Sequence, residues 1–153
     1  MNRERQLAVR KMIQVELDAM NYYQLATRYM KDQGAIDHFN QLAKEEQEHA
    51  RNFYDIYPGD DLPPFAEMVQ NHPKQNSLVQ SIDGELMARL DERQALQLAI
   101  RLEQEVEGSL RRMVMEAGDP AVKAVLEKNA ESTLNHLRVI KEDFQRLYGD
   151  LSG

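Results

Sequence analysis

Apolar residues recur along this chain at alternating steps of three and four in four stretches, the spacing of one buried helix face. Val9, Ile13, Met20, Tyr23 and Met30 make the first stripe, with Glu16 and Thr27 standing among them, and predict a helix over about 4–31. Ile36, Phe39, Ala43, Ala50 and Phe53 make the second, interrupted by Glu46, over about 33–57. Leu96, Ile100, Leu110 and Val114 make the third, with Glu103 and Glu107 in the stripe, over about 92–117. The fourth runs through Val122, Leu126, Asn129, Thr133, His136, Ile140 and Leu147, over about 120–148.

The ends of these stretches carry matching signals. Asp32 can cap the second helix, and Pro58-Gly59 stops it. Asp91 and Gln94 form a capping-box pair before the third helix, which ends before Gly118. Asp119-Pro120 is a cap followed by proline at the first helical position. Between them, residues 58–91 hold Pro58, Pro63, Pro64 and Pro73, with short helical turns expected at Phe65–Val69 and Glu85–Leu90. This stretch is a crossover and not a domain boundary, because neither half could bury its apolar stripe alone. The expected fold is all-α: a single domain over 1–153, an antiparallel four-helix bundle made of two helical hairpins joined by a long crossover.

A gap-free shift of 87 residues lays the second hairpin on the first. Ile13 then meets Ile100, Glu16 meets Glu103, Asp32 meets Asp119, Phe39 meets Leu126 and His49 meets His136. Glu46 meets Thr133. Glu16 precedes the first turn by about 15 residues and Glu46 follows it by about 13, roughly 22 and 20 Å of helix. An antiparallel hairpin therefore sets these two acids at one level, and the same arithmetic sets Glu103 level with His136.

Composition narrows the chemistry. A net charge of −7 argues against general nucleic-acid binding, which needs a basic face. The absence of Cys removes disulfides, thiolate ligands and a Cys nucleophile. The charged N-terminus MNRERQLAVRK has no signal-peptide pattern, and no apolar run is long enough for a membrane span, so a soluble cytoplasmic protein is expected.

A lone Glu or His in a helix seam is usually a stripe edge or a hydrogen-bonded core residue. Here Glu16, Glu46, His49, Glu103, Glu107 and His136 all fall in seams near one level. Buried carboxylates without cations repel one another, each with a desolvation cost of several kcal/mol. Metal ions would neutralise them, and a Glu/His set suits iron or manganese better than calcium or copper. Glu45, Glu48 and Glu105 read as solvated.

Glu16, then Glu46-Gln47-Glu48-His49, then Glu103 and His136 on paired hairpins resemble the rubrerythrin-type, ferritin-like di-iron carboxylate family. The resemblance covers about residues 5–57 and 92–148, and LAKEEQEHA over Leu42–Ala50 is its most specific part. It implies two iron ions, with Glu46 bridging, Glu16 and Glu103 terminal or bridging, and both histidines terminal. It also implies that Tyr23 hydrogen-bonds a ligating carboxylate from behind. The implied activity is that of a di-iron oxidoreductase, oxidising Fe(II) or reducing O₂ or H₂O₂. The chain departs from the family at Thr133, where a second Glu-x-x-His would begin. Glu107, one turn beyond Glu103, is the expected replacement; without it the site would hold one metal, or the second only weakly. Members often carry a four-Cys rubredoxin-like domain, so a peroxidase here would draw on a separate electron donor. A homodimer is an allowed assembly. The competing reading is a degenerate bundle, poor in metal, that acts as a non-catalytic interaction or regulatory module.

Overall fold

The computed structural model describes residues 3–72 and 91–149. Helix α1 spans Arg3–Ala26 and runs into a 3₁₀ turn at Thr27–Tyr29; α2 spans Gln33–Ile56 and α3 Phe65–Asn71. Helices α4 and α5 span Glu92–Glu116 and Pro120–Tyr148, and there is no strand among the described residues. The turn expected at Glu85–Leu90 lies outside the described residues.

The local signals act as their chemistry requires. Asp32 accepts from the Ala35 amide, and Asp91 and Gln94 close a reciprocal capping box. Asp119 accepts from the Ala121 amide with Pro120 in the first turn, and α5 ends at Gly149, whose φ of +86° favours glycine. Helix α1 stops short of residue 31. The Thr27 hydroxyl donates to the Gln24 carbonyl, the last turn tightens, and Met30 is already extended.

Helix α1 packs on α2 and α4 on α5; α2 then faces α5, and α1 faces α4. Ile13, Leu17, Phe39, Phe53, Leu96 and Leu126 are buried in the core between them. Each such side chain contributes about 1.5–3 kcal/mol on leaving water. The Tyr22 hydroxyl donates to the Ala95 carbonyl at 2.8 Å and pins α1 to α4.

One end of the bundle is clasped by polar groups. Glu92 accepts from the Lys31 and Asp32 amides and from the Tyr148 hydroxyl, while Arg146 reaches Asp32 at 2.7 Å. The turn between α1 and α2 is thus held by the start of α4 and the end of α5, which fixes the vertical register of all four long helices. Outside the bundle, the Tyr54 hydroxyl donates to the Pro63 carbonyl, and His72 sits 2.6 Å from Asp18 of α1. No helix among the described residues is long and apolar enough to cross a membrane.

Candidate metal centre

Halfway along the bundle the four long helices turn polar side chains towards one another. Helix α1 supplies Glu16, α2 Glu46 and His49, α4 Glu103, and α5 His136, and all five are buried. They form two groups, Glu16–Glu46–His49 and Glu46–Glu103–His136, each with its ligand atoms within 4.8 Å of one another. Glu46 belongs to both. Its Oε2 lies 3.6 Å from His49 Nδ1, and its Oε1 lies 3.0 Å from His136 Nδ1. Glu16 Oε2 is 3.5 Å from His49 Nδ1, and Glu103 Oε1 is 3.8 Å from His136 Nδ1. Both imidazoles therefore turn Nδ1 towards the carboxylates.

The electrostatics are those of crowded acids. Burial, followed by the charge of Glu46, pushes the Glu16 carboxyl well above its ordinary value of 4.5. Glu46 is pushed up in the same way by burial and then by Glu103. At His136 burial acts downwards, but the hydrogen bond and charge of Glu103, with Glu45 and Glu16, outweigh it and raise the imidazole. Both Glu16 oxygens, Glu103 Oε2 and His49 Nδ1 are buried without a hydrogen-bond partner. Leaving such atoms unsatisfied costs about 1–3 kcal/mol each, and more for charged groups. A divalent cation in each group removes that cost and the repulsion together, and carboxylate oxygens with imidazole nitrogens are ligands that iron and manganese accept. The donor set fits two such ions.

Tyr23 donates its hydroxyl to Glu103 Oε1 at 2.5 Å, and burial with the Glu103 charge keeps the phenol protonated. Thr133 is buried beside the centre, but its hydroxyl donates to the Asn129 carbonyl one turn back and offers the site no charge. Glu107 is not brought to either group. It is half-buried, and its Oε1 accepts from Arg111 Nε at 2.9 Å, a pairing within α4 that draws it away. Two residues without an assigned role do reach the histidines. Ser132 Oγ lies 2.9 Å from His49 Nε2 and 3.5 Å from His136 Nε2, and Glu45 Oε2 lies 3.5 Å from His136 Nε2. Ser132 stands four residues before His136, so their shared helix face was a usable signal. Glu45 had none, since it stands beside a ligand and reads as solvated.

This arrangement defines a class of protein, the helical bundle with a carboxylate–histidine centre in its core. The Rubrerythrin family model matches residues 8–144, and the chain belongs to that ferritin-like family. No curated protein and no solved structure matches it.

Proposed function

We propose that this protein binds two iron ions in the central layer and uses them as a cytoplasmic di-iron oxidase, oxidising Fe(II) or reducing O₂ or hydrogen peroxide. The observation that carries this reading is the pair of buried groups that share Glu46, together with the unpartnered oxygens of Glu16 and Glu103. Family membership supports it independently.

Glu16, Glu46 and His49 would hold one ion, and Glu46, Glu103 and His136 the other. When bound, a pair of irons supplies two-electron redox chemistry with O₂ or peroxide. The chain's own part is positional. The carboxylates neutralise the ions, the imidazoles orient through Nδ1, the apolar core excludes water, and Tyr23 fixes the Glu103 carboxylate. The sequence has no Cys, so electrons for repeated peroxide reduction would come from a donor outside these residues. Manganese shares the ligand preference and is the principal competing metal.

The test is anaerobic titration with Fe(II), followed by O₂ or peroxide. Two irons per chain and a new near-UV absorption accompanying oxidant consumption support the proposal. Two bound ions with no oxidant consumed would overturn its catalytic half. Thr133 favours a second reading, a metal-poor bundle serving as an interaction module, because its hydroxyl is committed to the α5 backbone where a carboxylate would complete the set. Less than one ion per chain decides for that reading.

A further inference from the structure

Resting on the reading of His49 and His136 as ligands, a second inference concerns what holds the two imidazoles in place. Their Nδ1 atoms face the carboxylates, so their Nε2 atoms face the seam between α2 and α5. The rings lie nearly parallel, with centroids 5.3 Å apart and planes inclined by 11°. A neutral imidazole that ligates through Nδ1 carries its proton on Nε2 and needs an acceptor there. Ser132 offers one hydroxyl oxygen with two lone pairs, 2.9 Å from His49 Nε2 and 3.5 Å from His136 Nε2. The Glu45 carboxylate offers a further acceptor 3.5 Å from His136 Nε2.

We propose that Ser132 and Glu45 are positioning residues that fix both histidines crosswise in the Nε2–H, Nδ1-ligating tautomer. Ser132 of α5 holds His49 of α2, and Glu45 of α2 shares with Ser132 the hold on His136 of α5. Each helix thereby orients the other's ligand, and the metal centre depends on how α2 and α5 are rotated against each other. The two supports are unequal. His49 takes the short bond to Ser132, whereas His136 has a long contact to the same hydroxyl and the carboxylate besides. Loss of the hydroxyl should therefore fall mainly on the Glu16–Glu46–His49 group. A cavity of about 330 Å³ opens beside Ser132, lined also by Glu48, Asn52 and Lys128. Water entering from it can replace the hydroxyl's hydrogen bond but not its fixed position, so the loss should be partial.

Zn(II) is the probe, since it is diamagnetic and accepts the same ligands. In the Zn(II)-loaded wild type, long-range ¹H–¹⁵N spectra should show both histidines protonated on Nε2 and ligated through Nδ1. Ser132→Ala should weaken one of two Zn(II) equivalents by about 10- to 100-fold and disturb the His49 ring resonances first. Ser132→Thr, which keeps the hydroxyl, should restore that equivalent to within a few fold. Glu45→Ala, which removes this acceptor, should weaken the other equivalent and leave the His49 resonances in place. Ser132→Ala with unchanged affinities and tautomers, or a wild type ligated through Nε2, overturns the proposal; the wild-type spectrum decides even where a variant fails to fold. A wild type with the expected tautomers but no reaction of its Fe(II) form with oxidant removes the oxidase reading and leaves this one standing. A wild type that takes up no Zn(II) overturns both.

Discussion

The bundle's acidic clasp and its acidic middle are built from the same side chains and satisfy them in opposite ways. At the clasp, Glu92 has two backbone amides on one oxygen and the Tyr148 hydroxyl on the other. Asp32 takes the Ala35 amide and Arg146, and buried Asp143 lies between Arg146 and His38. In the middle, both Glu16 oxygens and one of Glu103 have no donor, and no Lys or Arg is paired with Glu16, Glu46 or Glu103 among the described residues. Burial alone does not mark a functional acid, since Asp143 is as enclosed as His49. What separates the two regions is whether the chain supplies the donors. Acids completed by amides and guanidinium groups hold the fold; acids left short of donors are the ones proposed to take a cation.

The sharpest way to break this contrast is Glu46→Gln. Both groups lose their shared ligand, so Zn(II) affinity should fall by more than about 100-fold at each, as read by calorimetric titration. The metal-free protein should nevertheless gain about 1–3 kcal/mol, because a buried repelling acid is removed. Urea unfolding in chelator measures that gain, and a variant that is less stable and still binds two ions would erase the distinction.

Next in size is the dependence on pH, which should have opposite signs in the two regions. Glu16 and Glu46 have folded pKa values above their unfolded ones, so the folded state binds the extra protons. Their favourable contribution is complete below about 4.5 and is lost as pH rises through the raised values. The backbone hydrogen bonds of Asp32 and Lys31 lower Glu92 against an upward push from burial, and Arg146 with the Ala35 amide lowers Asp32. Their contribution is present above the unfolded values and is lost as pH falls through the lowered ones. Unfolding of the metal-free protein across pH 3–8 should therefore show a loss of stability above about pH 5 that Glu46→Gln reduces and Zn(II) abolishes.

A smaller effect is expected for Tyr23→Phe. Glu103 Oε1 loses its donor, and affinity at the Glu46–Glu103–His136 group should drop by about 10-fold while the other group holds. Smallest is Asp32→Ala, which removes a cap and the partner of Arg146. The melting temperature should fall by a few degrees with two ions still bound, measured by calorimetry with and without Zn(II).

Much of this was legible in the sequence because it is local. Helix seams follow from a period of 3.6, and Asp32, Asp91 and Asp119 cap within three residues of themselves. The common level of Glu16, Glu46, Glu103 and His136 followed from helix rise and a repeated hairpin. Glu107 is not brought to either group because Arg111, four residues on, pairs with it along the same helix face. Ser132 shares a helix face with His136 four residues on, whereas Glu45 was hidden for a different reason. A residue next to a ligand, as Glu45 is to Glu46, points about 100° away from it around the helix, and only the packing of α2 on α5 decides whether that direction is solvent or seam.

The shared carboxylate of Glu46 also decides what each group spans. Glu16, Glu46 and His49 all lie in the hairpin of α1 and α2. The other group borrows Glu46 and takes Glu103 and His136 from α4 and α5, so it exists only where the two hairpins meet. A cation bound there, as proposed, would act as a rivet between the two hairpins, and its loss would be felt in their docking before it was felt in either hairpin.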